Sequence, residues 1–364
     1  MTMTPQERRA ALAKALNGAI GENAQDSVVT QFIDTGYAPL NYHISGKIEG
    51  GGIPFGRIGE MYGESGTGKT ALATKWMGNA QKMGGIAMFN DWERSFNSDL
   101  AQGFGLDISP GMFVFKRPRT WEEGMSDGMN FARIVRQTGM IDETAPIIIV
   151  SDSIASAIPM SAMYDSKGNP KPMDSLTMND TTALARATGN LKYVSQAAAD
   201  YNATFLFLNQ MRLKIGVVFG DPRTTPGGKA PEFYSSFRIA LGKSKIANKT
   251  TKEFEGNDIS IQITKSKHTR AWGTCNLRLV YPQGGVAPDF DYLYSGIELC
   301  VEKKWLVKDG NKIAFNGKTY YVGQLAELLR ATPGGEDAIY QLIQKNLADE
   351  QPGGVEPAEF KEAA

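Results

Sequence analysis

The sequence predicts an α/β fold: a mostly parallel, twisted sheet built around a phosphate-binding loop, with a helix in front and a small α+β domain behind. Three observations carry this expectation. From Arg57 onward, apolar strand-like segments alternate with helical ones, the pattern of strands covered on both faces. The octapeptide GESGTGKT at 63–70 fits GxxxxGK[ST] and lies between a strand and a helix. From about Asp221 the chain turns β-rich, and after Gly285 its character changes again.

Taken in order, PQERRAALAKALNGAI at 5–20 suits a helix, with Pro5 in its first turn and Ala11, Leu12, Leu16, Ala19 and Ile20 as its apolar stripe. So short a helix either packs on its own body or docks on a neighbour. RIGEMYG reads as a strand and 70–82 as a helix. GIAMFND is a second strand, 121–137 a helix, and PIIIVSD a buried strand. A helix over 181–199 precedes the strand ATFLFLN, and FRIALGKSK, DISIQITKSK and TCNLRLVY extend the sheet with antiparallel strands. Residues 289–303 and 322–330 look helical, flanking the hairpin-like NKIAFNGKTYY. The expected divisions are an N-terminal helix and linker over 1–35, a core over 36–285, a small domain over 286–348, and a polar Pro/Gly-rich tail over 349–364.

Composition excludes several classes. The 364 residues are 41% hydrophobic and 21% charged, and no run reaches the roughly 18 apolar residues of a membrane span. The N-terminus has no apolar secretory core. Two cysteines, Cys275 and Cys300, with no CxxC or Cys/His cluster, exclude a disulfide framework and disfavour a structural zinc. A reducing cytoplasm fits. Lys plus Arg balances Asp plus Glu at 39 each, so any nucleic-acid binding depends on a local groove of cations.

The loop carries the chemistry. Gly63, Gly66 and Gly68 let backbone amides turn toward phosphates, with Glu64, Ser65 and Thr67 between them, at the positive end of a helix. Lys69 reaches the terminal phosphates, and the Thr70 hydroxyl ligates magnesium. A second magnesium-side carboxylate is expected at the end of a nearby strand, where PIIIVSDS supplies Asp152; a helix cap is the plainer role for the same residue. MFNDWE brings Asp91 and Glu93, which strand alternation places on one side. Glu93, further out, is the better base for activating water, and a solvated surface pair is the bland alternative.

From about Glu7 to Leu347 the sequence resembles the RecA recombinases of bacteria and their phages. Four blocks carry the resemblance: GGGIPFGRIGEMYGESGTGKT, FNDWERSFNSDLAQGFGLD, IIIVSDSIASAIP, and LNQMRLKIGVVFGDPRTTPGGKAPEFYSSFRIAL. A phosphate loop alone says only NTPase, whereas the fourth block is nearly diagnostic. The resemblance implies a RecA-like P-loop ATPase core, ATP and Mg2+ as ligands, and the catalytic glutamate at Glu93. It implies that Gln210 senses the γ-phosphate and that a DNA-binding loop follows, to about residue 225. There Arg212, Lys214 and Arg223 meet DNA phosphates, and Ile215, Val217, Val218 and Phe219 wedge between bases, with Gly216, Gly227 and Gly228 in the same block. A first DNA loop falls near 157–178, with Met178 at its end, and Arg186 falls on a DNA-contacting arginine. Lys265 and Lys267 fall on lysines that reach a neighbouring subunit's ATP, Tyr281 on an aromatic beside the base, and Phe233 on an aromatic at the subunit boundary.

Some positions depart from the family pattern. Leu100 replaces a tyrosine that stacks on adenine, and Tyr193, beside Lys192, replaces a second DNA-contacting arginine. Ser260 and Gln262 replace basic residues of a secondary DNA site, for which Lys243, Lys245, Lys249 and Lys252 are candidate substitutes. Such departures suit a divergent or phage-encoded member acting in the host cytoplasm. The implied function is a recombinase that forms homo-oligomeric helical filaments on single-stranded DNA, pairs it with duplex DNA, exchanges strands and hydrolyses ATP when DNA is bound. Single-strand-binding or loader proteins are candidate partners. A ring-forming helicase motor shares the core but lacks the 210–219 block. A filament that only regulates a partner protein leaves no local motif.

Overall fold

The computed structural model describes residues 4–19, 28–172, 179–213, 223–248, 250–282 and 287–349. Helix α1 (Pro5–Ala19) opens with a T-x-x-E capping box, in which Thr4 Oγ1 accepts from the Glu7 amide and Glu7 returns a bond to the Thr4 amide. Every side chain described from Thr4 to Ala15 is exposed. The ribbon β1 (Phe32–Ile33) and β2 (Ile53–Pro54) brackets α2 (Ala38–Ser45).

The main alternation then begins with β3 (Ile58–Gly63), α3 (Lys69–Lys82), β4 (Ile86–Asp91), α4 (Ser98–Gly103), β5 (Phe113–Lys116), α5 (Trp121–Thr138) and β6 (Ile147–Asp152). It continues with α6 (Met160–Met163), α7 (Asn179–Ala187), α8 (Leu191–Asp200) and β7 (Ala203–Gln210). The short β8 (Arg212–Leu213) and β9 (Arg223–Thr224) pair with each other, and α9 (Ala230–Tyr234) leads into β10 (Phe237–Ala247), β11 (Phe254–Ser266), β12 (Thr274–Val280) and β13 (Asp289–Asp291). The C-terminal part holds α10 (Tyr292–Glu302), the three-stranded β14 (Lys308–Asp309), β15 (Lys312–Phe315) and β16 (Lys318–Tyr320), then α11 (Val322–Ala331) and α12 (Gly335–Asp349).

Nine strands form one sheet in the order β13-β12-β11-β10-β3-β7-β6-β4-β5. The pairings from β10 through β5 are parallel, and those from β10 outward to β13 are antiparallel. This is the α/β sheet expected. Its apolar runs serve two faces: in β6, Ile148 and Val150 join Leu72, Trp76 and Leu208 on one side, while Ile147 and Ile149 join Trp121, Val194 and Phe207 on the other. A third cluster binds α10, α11 and α12 around Ile297, Leu325 and Ile343, with Ala38 of α2 at its edge.

Several boundaries differ from the sequence reading. The helix expected over 181–199 is interrupted at Thr188–Asn190 by a 3-10 turn, because the Thr188 hydroxyl donates to the Gly227 carbonyl at 2.7 Å and draws the chain aside. The helix expected from 289 starts at Tyr292, since 289–291 complete the sheet beside β12 and Asp291 caps the Tyr294 amide. The sheet therefore runs past the expected division at 285. No helix among the described residues is long and apolar enough to cross a membrane.

Candidate nucleotide and DNA-facing site

The phosphate loop leaves the buried end of β3. Gly66 and Gly68 take φ of 71° and 84°, and a Cβ on Gly63 would stand 2.5 Å from the Leu241 carbonyl oxygen. The Lys69 ammonium donates to the Gly63 and Glu64 carbonyls at 3.1 and 2.8 Å, and burial draws its pKa down. Thr70 Oγ1 donates to Asp152 Oδ2 at 2.7 Å, and burial pushes the Asp152 carboxyl up to about 7. The loop faces a cavity of about 240 Å3 that is also lined by Glu93, Leu100, Gln210 and Tyr281.

Asp91 and Glu93 do not share a side. β4 ends at Asp91, so the two-residue alternation stops there. Asp91 is fully buried and accepts from the Ser95 and Phe96 amides, fixing the turn that follows. Glu93 is exposed in that turn. Its amide donates to the Asp152 carbonyl, and its Oε1 accepts from Ser153 Oγ at 2.6 Å and from Gln210 Nε2 at 3.2 Å. Sequence reasoning missed Ser153; its position directly after Asp152 was the available signal.

Lys243 and Lys245, candidate substitutes at a secondary DNA site, are both among the described residues. Lys243 Nζ donates to the Ser65 carbonyl at 2.6 Å, which ties it to the phosphate loop. Lys245 lies over the Phe254 ring, and Phe254 packs on Tyr281 with centroids 5.3 Å apart, a half-exposed aromatic pair. Lys249 lies outside the described residues.

A second cavity, of about 550 Å3, is lined by Ile158, Pro159, Leu184, Arg212, Gly227 and Gly228. The β8–β9 ladder, Arg212 opposite Thr224 and Leu213 opposite Arg223, closes the base of the segment between them. Arg186, Arg212 and Arg223 are all exposed on this side, while Gly227 and Gly228 have φ of 92° and 69°. Lys214, Ile215, Gly216, Val217, Val218 and Phe219, with Met178 of the earlier loop, lie outside the described residues. Tyr193 is 60% exposed on α8 with Lys192 Nζ over its ring.

Lys265 and Lys267 are not among the lining residues of the nucleotide cavity. β11 ends at Ser266, so only Lys265 is on the strand. Its Nζ donates to the Glu232 and Phe233 carbonyls, and burial and then the nearby Lys267 lower its pKa. Lys267 is exposed, as is Phe233, at 70% of its surface on α9.

The family profile described as the RecA N-terminal domain matches residues 14–286. The chain is 31% identical over 341 residues to Protein RecA of Chloroherpeton thalassium, covering 92% of this chain and 86% of that protein.

This chain belongs to the RecA family of recombinases.

Other RecA relatives agree: that of Chlorobaculum tepidum is 31% identical over 335 residues, covering 91% of this chain and 88% of its own, and that of Frankia casuarinae is 33% identical over 300 residues, covering 82% and 79%. The family profile ends at 286, just before β13 completes the sheet and α10 opens the cluster it shares with α11 and α12.

The donor set at the RecA phosphate loop fits magnesium. Thr70 and Asp152 are hard oxygen donors in contact, and a small cation that keeps several waters and takes phosphate oxygens needs few ligands from protein.

Proposed function

We propose that this chain binds ATP and magnesium at the loop formed by Gly63, Glu64, Ser65, Gly66, Thr67, Gly68, Lys69 and Thr70. In this reading it polymerises into helical filaments on single-stranded DNA, pairs that strand with a homologous duplex, and exchanges strands in the cytoplasm. ATP hydrolysis is stimulated by DNA and loosens the filament.

The observation that carries the reading is the position of Gln210. Its side chain donates to Glu93 in the nucleotide cavity, and two residues later the chain enters the ladder at the base of the proposed DNA loop. Family membership supplies the rest.

Within the site each residue has a role of its own. Lys69 and the loop amides bind phosphate oxygens, and Thr70 and Asp152 would hold a magnesium ion that would offset the phosphates' negative charge. Glu93 orients water and takes its proton at a carboxylate oxygen, held by Ser153 and Gln210. Tyr281 offers a ring to the base. Lys265 and Lys267 add cations to the nucleotide of the next subunit, against which Phe233 packs, and the exposed helix α1 docks on a neighbour. Arg186, Arg212 and Arg223, with Met178, Lys214, Ile215, Gly216, Val217, Phe219, Gly227 and Gly228, form the DNA path. The apolar residues wedge between bases and the cations meet phosphates, so specificity comes from base pairing.

Electron microscopy of the chain with single-stranded DNA and a non-hydrolysable ATP analogue tests the reading. Helical filaments that require both ligands support it. Closed rings, or no assembly, overturn it.

A further inference from the structure

A charged pair sits in the middle of the sheet, away from either cavity's chemistry. Glu60, on β3, has no exposed surface. Its Oε2 accepts from Arg238 Nε at 2.6 Å, from the neighbouring strand β10, and its Oε1 accepts from Asn209 Nδ2 at 2.8 Å, from the strand on the other side, β7. Stability alone does not explain such a pair, because buried ions give up solvation that apolar packing would not require.

What distinguishes it is where its bonds lead. Asn209 also donates to the Pro226 carbonyl at 3.0 Å, and its Oδ1 accepts from the amide of Gln210, whose side chain is on Glu93. Arg238 commits all three of its nitrogens: Nε to Glu60, Nη2 to Thr225 Oγ1 at 3.3 Å, and Nη1 to Glu232 at 3.5 Å. Thr225 and Pro226 directly follow β9 at the base of the loop. Glu232 is the residue whose carbonyl holds Lys265. A guanidinium is planar, so its donors keep fixed angles to one another. Moving one partner turns the plane and strains the other two bonds.

We propose that the Glu60–Arg238 pair is a positioning hub that ties Gln210, the Thr225–Pro226 end of the DNA loop and the Lys265 face into one unit, so that a change at the nucleotide is read at the other two places. This rests on the DNA-stimulated ATPase proposed above. Arg238 and Glu60 line neither cavity; they act through Asn209, Thr225 and Glu232.

The test uses the full chain with ATP and a single-stranded oligonucleotide. Hydrolysis without DNA, hydrolysis at saturating DNA, ATP affinity, DNA affinity and melting temperature are measured for Thr225→Val, Arg238→Lys and their double variant. Arg238→Lys keeps the charge and loses the fork; Thr225→Val cuts one arm at the half-buried edge and keeps the test open should Arg238→Lys fail to fold. Loss of one charged hydrogen bond sets the expected size: Thr225→Val, at the end of the DNA loop, lowers the DNA stimulation of turnover about tenfold at saturating DNA, with ATP affinity within about twofold. Where Arg238→Lys folds, the double variant is no worse than it alone, because both changes break the same link. Undiminished stimulation in Thr225→Val, or multiplicative losses in the double variant, overturns the hub. A parent protein whose hydrolysis ignores DNA overturns the function on which the hub rests.

Discussion

Replacing Glu93 with glutamine separates holding water from deprotonating it. Glu93 Oε1 accepts two hydrogen bonds, from Ser153 Oγ at 2.6 Å and from Gln210 Nε2 at 3.2 Å, and a glutamine carbonyl can accept both. The side chain therefore keeps its place, and the loss is confined to basicity. A positioned general base contributes about a hundredfold to ten-thousandfold, or roughly 3–5 kcal/mol of barrier. Because Glu93 is exposed and bulk water can accept the proton slowly in its stead, the lower half of that range is expected. Phosphate release is followed at saturating ATP and single-stranded DNA, with binding of a fluorescent ATP analogue measured alongside. The expected result is unchanged or tighter nucleotide binding, persistent DNA-bound assemblies and turnover reduced at least about a hundredfold. Turnover within a few-fold of the parent would remove Glu93 from the base role, and loss of nucleotide binding together with turnover would make it a structural residue.

Four further outcomes are expected. Lys267→Ala and Lys69→Ala should each lack DNA-dependent ATPase, and a mixture should regain part of it where one subunit offers the intact loop and the other the intact lysine; co-sedimenting mixtures without rescue would show that the lysines act in cis or not at all. Phe233→Ala, at a residue 70% exposed, should leave the melting temperature unchanged while shortening filaments in micrographs; a burial worth roughly 1.5–3 kcal/mol per contact is lost only on assembly, so an unfolded monomer would instead mark Phe233 as core. Burial holds His43 and His268 near a pKa of about 4, below the usual 6.5, so the unfolded chain binds more protons between those values; stability should fall as pH drops from about 6.5 to 4, and His43→Gln should flatten that decline in thermal melts if the cause is right. Gly59→Ala should cost about 1–3 kcal/mol by denaturant titration, because the new Cβ would fall 2.0 Å from the buried Phe237 ring; a neutral result would mean the strands adjust.

What could be read from the sequence was what is local in it. The loop, its helix, and the strand ends bearing Asp152 and Gln210 are each written within a few consecutive residues, and the structure brings Lys69, Thr70, Glu93, Asp152, Gln210 and Tyr281 around one cavity. β5 was not foreseen, since FVFK is short and only half-buried at the sheet's edge. Nor was α12, whose start lies at a glycine rather than a capping side chain. The contacts of Lys243 with Ser65 and of Arg238 with Glu60 each join residues 178 positions apart, and no spacing rule reaches that far. The side-by-side placement of Asp91 and Glu93 failed for a related reason: alternation holds only while the ladder lasts, and the ladder stops at Asp91.

Near the nucleotide cavity the chain buries Lys69 at the start of α3, Asp91 and Asp152 at strand ends, and Ser153 just beyond. The fold thus keeps polar groups out of water where an apolar core would be more stable, and a bound ligand returns part of that loss by mass action. At a hundred times its dissociation constant, a ligand that binds only the folded chain adds about 2.7 kcal/mol to the free energy of unfolding. If the proposed nucleotide binds at this cavity, the melting temperature rises with its concentration.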